Sequence, residues 1–272
     1  MSRKIIDVHV HVFPDNVAQR ATDNIGKYYN IKMECDGTVS MLLDRASGLD
    51  IEYFCISSAA TNPEHVRRGN DLVLDRAREN PVFLPLCSFH PKAPEMEKEL
   101  EYVKANGAVG LKLHADFQQF VIDDPAITPL YRLAAELDLP ILFHVGDENT
   151  DNTSPSRLYN VVDRVPELKI IAAHMGGYKA WDEAENVLYG TPVYMDTSDA
   201  LLCLPPERVV EQIRRQGPER IMFGSDYPLR STRSAFEAFD ALPLTEPEKE
   251  QICRLTALSL FKKESCKVSA KA

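Results

Sequence analysis

The sequence has few of the features that suit a chain to a membrane, to nucleic acid or to an oxidising compartment. No apolar run approaches the ~20 residues of a transmembrane helix, and no apolar leader segment precedes the first strand-like run. Basic runs are also missing, and the net charge is −10. The six cysteines are scattered without a Cys-x-x-Cys motif, as is typical of reduced thiols. We therefore expect a cytoplasmic protein that binds neither membranes nor nucleic acid.

Two further absences bear on the fold. No Gly-x-Gly-x-x-Gly motif follows an early strand, which argues against an open, doubly wound nucleotide-binding sheet. No glycine–serine linker, low-complexity segment or change of composition divides the 272 residues. We therefore treat residues 1–264 as one domain, followed by a mobile polar tail at 265–272.

What is present is an alternation of strand-like and helical segments. Strands are predicted at 4–11, 51–58, 82–88, 108–114, 139–144, 168–174, 192–197 and 220–226. Helices are predicted at 62–80, 94–106, 124–137, 154–165, 181–188, 206–216 and 246–262, whereas 16–49 is polar, interrupted by glycines and amphipathic only at 40–46. Strands separated by helices pair in parallel, and eight such units close a barrel. The predicted fold is an α/β, (β/α)8 TIM barrel.

The first predicted strand carries two histidines in alternate positions. Side chains alternate between the two faces of a strand, which places Asp7, His9 and His11 on one face. The two imidazoles then lie about 6–7 Å apart along the chain and can lean toward one cation. Taken alone, this pair could equally be two surface histidines on an edge strand.

Polar residues also end later predicted strands, where the active site of such a barrel lies. The inward-facing set is His9, His11, Lys112, His114, His144, His174 and Asp226. The corresponding outward-facing set is Leu111, Leu113, Ile171, Ala173, Ile221 and Phe223. Neutral imidazoles with a carboxylate suit Zn²⁺ and its neighbours, and a position left to water is typical of a catalytic site. The pattern predicts a metal centre at one end of the barrel.

Five motifs in this order resemble the amidohydrolase superfamily, in particular its amidohydrolase-related branch, which includes aminocarboxymuconate semialdehyde decarboxylase-like enzymes and small lactone and amide hydrolases. They are Asp7-Val-His-Val-His11, Gly110-Leu-Lys-Leu-His114, Phe143-His144, Ala173-His-Met-Gly-Gly177 and Phe223-Gly-Ser-Asp-Tyr-Pro228. The resemblance implies that His9, His11, His144 and Asp226 hold a divalent metal, Zn²⁺ or Mn²⁺. It further implies that His174 is a ligand or the nearby acid/base, and that Asp226 accepts the proton of the activated water.

Lysine 112 leaves two alternatives open. Binuclear members of the superfamily use a carboxylated lysine on the fourth strand to bridge two metals, and Lys112 could be that lysine. Because His114 points the same way, we instead expect one metal per chain, with Lys112 and His114 binding substrate. Arg157, and less directly Arg230, are candidate carboxylate clamps, because a guanidinium offers a planar pair of donors; as single loop arginines they fit ordinary surface charges as well. Asp7 is either a support for a histidine ligand or a cap of the barrel floor.

These observations lead to three functional hypotheses. The main prediction is a metal-dependent hydrolase of a small ester, lactone or amide that carries a carboxylate, with Asp226 and His174 as catalytic residues. The alternative is a metal-dependent, non-oxidative decarboxylase of a small aromatic or muconate-like acid. The third is a non-catalytic metal-binding protein. The expected partners are a small-molecule substrate and, in a homodimer, a second copy of the chain.

Overall fold

The computed structural model describes residues 3–262, and its eight parallel strands form one sheet. In sheet order they are β1 (Lys4–His11), β2 (Asp50–Ser57), β3 (Phe83–Cys87), β4 (Gly110–Leu113), β5 (Ile141–Phe143), β6 (Ile170–Ala172), β7 (Tyr194–Asp196) and β8 (Ile221–Met222). The last strand returns to the first, because the Val8 amide donates to the Phe223 carbonyl at 3.0 Å and Val10 bridges to Tyr227. This confirms the predicted (β/α)8 barrel. The predicted tail at 265–272 lies outside the described residues.

Helices connect the strands and cover the outside of the barrel. They are α1 (Asp15–Tyr29), α2 (Val39–Arg45), α3 (Val66–Glu79), α4 (Met96–Ala105), α5 (Ala115–Gln118), α6 (Thr128–Glu136), α7 (Pro155–Arg164), α8 (Trp181–Val187), α9 (Ala200–Cys203), α10 (Pro206–Gln216), α11 (Thr232–Asp240), α12 (Glu246–Glu250) and α13 (Thr256–Leu260). A π-helical turn, Gln251–Leu255, joins the last two. Within residues 3–262, none of the helices is both long and apolar enough to cross a membrane.

Helix α1 contradicts the expectation that 16–49 holds only one short amphipathic piece. Its apolar residues Val17, Ala21 and Ile25 recur every four positions, which is a helical spacing. Asp15 lies in its first turn, where a negative charge is favourable, and Asn30 ends it in a left-handed conformation. The glycine within the helix and its many polar residues obscure this pattern in the sequence.

The buried apolar residues form two clusters separated by the sheet. The larger cluster lies between the strands and the surrounding helices. The smaller cluster, which we call the barrel floor, fills the interior of the barrel; it comprises Ile6, Val8, Cys55, Leu84, Leu86, Leu142, Ile171, Ala173, Met222, Ala257, Leu258, Leu260 and Phe261. Helix α13 therefore plugs the end of the barrel at which the strands begin. The opposite end, where the strands finish, is the barrel mouth.

Strict alternation is wrong at two places in the strands. In β1 the pairing register shifts between Asp7 and Val10, so Val8 and His9 both point into the barrel and Asp7 does not. In β6 the interior holds Ile171 and Ala173, which alternation had placed outside. The strand ends at Ala172, and His174 begins a tight turn with φ of 59°, so the turn rather than alternation aims this side chain.

Candidate metal centre

Three side chains at the barrel mouth form a compact triangle of ligand atoms. Nε2 of His9 and Nε2 of His11 lie 3.2 Å apart. Oδ1 of Asp226 lies 3.2 Å from the first of these atoms and 3.3 Å from the second. Ligand atoms that share a cation at about 2.0–2.2 Å are separated by roughly 3 Å, so these spacings fit one bound metal ion. We call His9, His11 and Asp226 the metal triangle.

The second nitrogens of the two histidines are held by polar groups of other strands. Nδ1 of His9 lies 2.9 Å from Oδ2 of Asp196, the last residue of β7, and 3.1 Å from Oγ of Ser198, two residues further on. Nδ1 of His11 lies 3.1 Å from Oγ of Ser57 at the end of β2. Such partners fix the orientation and tautomer of a metal-binding imidazole. They leave both Nε2 atoms free to bind the same ion.

Electrostatics favours the ligating forms of these groups. Burial lowers the pKa of His11 to about 4, and so keeps the imidazole neutral at neutral pH. Burial alone would raise the pKa of Asp226, but the interaction with His9 and the hydrogen bond with His11 outweigh burial and hold it below its ordinary value. Metal binding requires neutral imidazoles and an ionised carboxylate. The donor set of the triangle therefore fits a divalent cation.

His174 lies beside the triangle and shares a second group of candidate ligands with Asp199 and Asp226. Its Nδ1 is 2.8 Å from Oγ of Ser198 and 3.4 Å from Oδ2 of Asp199. Its Nε2 is 3.0 Å from Nδ1 of His144. Burial lowers the pKa of His174 to about 3. The side chain is therefore placed either to bind a cation or to exchange a proton beside one.

His144 falls in a different group of candidate ligands from the metal triangle, with which the resemblance had placed it. Among the described residues, it is grouped as a candidate ligand with His114 and Asp116. The rings of His114 and His144 stack with centroids 3.9 Å apart. The hydroxyl of Tyr29 lies 3.1 Å from Nε2 of His114 and 3.3 Å from Nε2 of His144, so helix α1 reaches across the mouth to these histidines. The predicted role of His144 as a ligand remains a prediction.

Lys112 points into the barrel, as predicted, but it lies beneath the metal triangle. Its side chain is fully buried, and Nζ lies 2.8 Å from Nε2 of His9. Burial lowers its pKa to about 8. His114 lines the open cavity described next, whereas Lys112 is not one of its lining residues. In this structure the lysine contacts the triangle rather than the space available to a substrate.

A cavity of about 820 Å³ opens above the triangle. His11, Asp226, His114, His144 and Asp199 line its deep end. Its walls come from helix α1, from the segment 58–69 after β2, and from aromatic side chains at the mouth. The volume and the largely apolar lining are typical of a pocket for a small organic molecule.

The structure does not bring the predicted clamp Arg157 to this cavity. Arg157 lies in the first turn of helix α7, and its guanidinium pairs with Asp123 at 2.8 Å and with Asp151 at 2.7 Å. Arg230 is half-buried and also does not line the cavity. Asp7 accepts hydrogen bonds from the Ser225 amide at 3.0 Å and from the Thr232 hydroxyl, so it holds the chain after β8 rather than an imidazole ring.

Sequence reasoning missed two sets of site residues. Asp196 ends β7, and Ser198 and Asp199 follow it, whereas the predicted site took no residue from the ends of the second, third and seventh strands. Tyr28 and Tyr29 end helix α1, which was not predicted. The active site of such a barrel lies at the C-terminal ends of its strands, so considering the polar residues at the ends of all eight strands would have found the first set. The four-residue spacing of apolar residues would have indicated the second.

Comparison with known proteins gives a family match across nearly the whole chain. The model of the family described as amidohydrolase matches residues 6–263. The gamma-resorcylate decarboxylase of Polaromonas sp. strain JS666 is 24% identical over 264 residues, with 76% of this chain and 79% of that protein covered.

Solved structures show the same fold. The 5-carboxyvanillate decarboxylase of Sphingomonas paucimobilis superposes with a TM-score of 0.73 at 17% identity, covering 96% of this chain and 99% of that one. A dihydroxybenzoic acid decarboxylase of Polaromonas sp. JS666, solved with manganese and the inhibitor 2-nitroresorcinol, gives 0.68 at 17% identity, covering 96% and 97%.

The names of these relatives contradict our main functional prediction. We expected a hydrolase of esters, lactones or amides, whereas these similar proteins are named as decarboxylases. They favour the alternative that the sequence left open. The predicted homodimer and cytoplasmic location stay predictions.

Proposed function

Because the chain belongs to the amidohydrolase family, we propose that it is a metal-dependent, non-oxidative decarboxylase of a small hydroxylated aromatic carboxylic acid. The observation that carries the proposal is the metal triangle at the base of a largely apolar cavity, with a further histidine, His174, beside it. The names of the similar proteins support the choice of reaction.

The proposed reaction requires an anchor for the acid and a proton for the ring. The bond between the ring carbon and the carboxyl carbon breaks, the electron pair stays on the ring carbon, that carbon takes one proton, and carbon dioxide leaves. His9, His11 and Asp226 would hold one Zn²⁺ or Mn²⁺ per chain, and this ion supplies the positive charge that binds and orients oxygen atoms of the acid. The apolar walls exclude water from the ring.

We assign the supply of the proton to His174, which does not line the cavity itself but contacts His144, one of the lining residues. Burial keeps this imidazole neutral, so one ring nitrogen carries a proton and the other can accept one. The side chain therefore acts as a proton relay: it releases the proton from one nitrogen and takes up another at the second. Both nitrogens have suitable neighbours, since Nδ1 is 2.8 Å from Ser198 Oγ and Nε2 is 3.0 Å from His144 Nδ1. Asp196 orients His9 and also accepts a hydrogen bond from Ser198, so the two histidines share one support.

The test follows carbon dioxide and the arene product separately. Protein loaded with Mn²⁺ or Zn²⁺ is incubated in D2O with 2,6-dihydroxybenzoate, 5-carboxyvanillate and orsellinate. We expect carbon dioxide release from at least one acid, with one deuterium at the ring carbon that lost the carboxyl group. Metal content is measured on the same sample by elemental analysis. A metal-loaded protein that leaves every acid of the panel intact would contradict the decarboxylase proposal.

Two variants assign the roles within the site. His174→Gln should retain the metal and lose turnover by about 10²–10⁴-fold, because the proton donor is removed. His90→Gln is the matched control, since His90 is equally buried but lies outside the groups of candidate ligands in the described chain. Two metals per chain, with loading that depends on bicarbonate, would instead make Lys112 a carboxylated bridge.

A further inference from the structure

The cavity above the metal triangle extends well beyond the space that a single aromatic ring needs. At about 820 Å³ it lies near the upper end of the range of roughly 300–1,000 Å³ that accommodates drug-sized ligands. A one-ring acid bound at the triangle would leave most of this volume to solvent. The outer part of the cavity therefore has room for a second portion of the substrate.

Helix α1 and the start of helix α3 form two walls of that outer part. Val17, Arg20, Asn24 and Tyr28 line the cavity at three- and four-residue intervals, so they share one face of helix α1. Arg20 lies two turns before Tyr28, or about 12 Å along the helix axis. Arg68, in the first turn of helix α3, lines the other wall.

Neither arginine is paired within the described part of the chain. Arg20 and Arg68 are exposed and make no ion pair or side-chain hydrogen bond with any residue from 3 to 262. The adjacent Arg67 behaves differently: it binds Glu99 at 2.7 Å and stacks over Tyr102. The guanidinium groups at the cavity are thus available to a ligand, whereas their neighbour has a structural partner.

The charge at the outer end of the cavity is opposite in sign to the net charge of the chain. The protein has a net charge of −10, yet the only carboxylates among the residues that line this cavity are Asp199 and Asp226 at the deep end. The outer walls contribute Arg20 and Arg68 without a compensating acid. Such a site attracts an anionic group, and a guanidinium binds a carboxylate through two parallel hydrogen bonds.

We propose that the substrate is an elongated aromatic acid with two anionic groups, whose second group is bound at the outer end of the cavity by Arg20 and Arg68. We set the separation of the anionic groups on the order of 10 Å, from the ~12 Å rise of helix α1 between Arg20 and Tyr28. This inference rests on the proposed function, because it places the reacting carboxylate at the metal triangle. Beyond the proposed function, it specifies the length of the substrate and the number of its charges.

Two non-reacting probes of equal width test the proposal by calorimetry on the Mn²⁺-loaded protein. Biphenyl-4,4′-dicarboxylate carries an acid group at each end, and biphenyl-4-carboxylate carries one. We expect the dicarboxylate to bind about tenfold more tightly, which is the effect of one charged hydrogen-bonding contact. The double variant Arg20→Gln/Arg68→Gln should bring the ratio of the two affinities close to one, and each single variant should give an intermediate ratio.

Arg132→Gln is the matched control. Arg132 is likewise exposed on a helix and unpaired within residues 3–262, but it does not line the cavity, so this variant should keep the tenfold ratio. Equal affinities in the wild type, a ratio that survives in the double variant, or the binding of neither probe would each overturn the proposal. A preserved preference for the dicarboxylate in a protein that releases no carbon dioxide would disprove the decarboxylase function while leaving this subsite intact.

Discussion

The two ends of the barrel are built from the same eight strands but differ in chemistry. At the floor, side chains such as Leu86, Leu142 and Met222 pack against helix α13 in a purely apolar cluster. At the mouth, the interior positions hold histidines, aspartates and a lysine that are buried or, for His11 and Asp226, half-buried. Burying polar groups is costly unless they are hydrogen-bonded or bind a ligand. The comparison indicates that the floor stabilises the fold and the mouth performs the chemistry, as in other barrels of this type.

The largest expected effect comes from the mouth, with Asp226→Asn. Asparagine keeps the size of the side chain and tolerates the left-handed backbone at this position, where φ is 58°. It removes the negative charge that faces His9 and His11 and so weakens binding of the cation. Loss of a group that only supports a metal ligand costs about 10–100-fold, so turnover should fall by about 10²-fold or more while the melting temperature changes little. Rate, metal content and melting temperature are measured on one preparation. A variant that keeps its rate but melts lower would show that Asp226 is structural.

The converse change is made at the floor, with Leu142→Ala. Leu142 is fully buried, and its loss should reduce the free energy of unfolding by about 2–5 kcal/mol through lost burial and the cavity left behind. Activity per folded molecule should stay within about threefold of wild type at a temperature well below the melting transition. Leu43→Ala, at an exposed position of helix α2, is the matched control. Loss of activity without loss of stability would break the division between floor and mouth.

Tyr29→Phe tests whether helix α1 belongs functionally to the mouth. The hydroxyl of Tyr29 contacts Nε2 of both His114 and His144, so its removal should lower kcat/KM by about fivefold, the effect of one neutral hydrogen bond. Tyr28→Phe is the control, because the hydroxyl of Tyr28 instead donates to Asp147 at 3.3 Å. If only the Tyr28 variant were impaired, the contact of helix α1 with the histidines would have no role in turnover.

The smallest effect is expected from the surface ion pairs of Asp138, which lies shortly before the start of β5. Hydrogen bonds from Lys169 and Lys262 lower the pKa of Asp138 to about 2. Because this pKa is lower in the folded state, the stabilisation is fully present above about pH 4 and is lost as the pH falls toward 2. Since the side chain is 36% exposed, solvent screening limits the contribution to below about 1 kcal/mol.

Denaturant unfolding of the wild type and of Asp138→Asn at pH 6 and pH 3 measures this contribution. The difference in the free energy of unfolding between the two proteins should be small at pH 6 and smaller at pH 3. A difference that grows as the pH falls would contradict the lowered pKa. Either result leaves activity at the mouth unchanged if the two ends act independently.

The sequence alone was sufficient for the fold and for much of the mouth. Apolar, strand-like runs that alternate with segments of helical periodicity predicted the eight strands of the barrel. Both patterns are set by local backbone geometry and can be recognised in the sequence. The placement of Lys112 inside and Leu111 outside also followed from alternation, since β4 is regular. The arrangement of the metal triangle could be anticipated because parallel strands end at the same side of a sheet.

Other features depended on tertiary structure. The register shift in β1 places Val8 inside the barrel beside His9 and takes Asp7 out of it, and the turn after β6 directs His174. Neither feature follows from a period of two. Helix α1 brings Tyr29 to residues more than 80 positions away in the chain, at His114 and His144.

Local sequence determines which residues can share a face, because backbone geometry repeats over a few residues. Only the closed barrel decides which faces meet, because contacts between distant segments depend on how the whole chain packs.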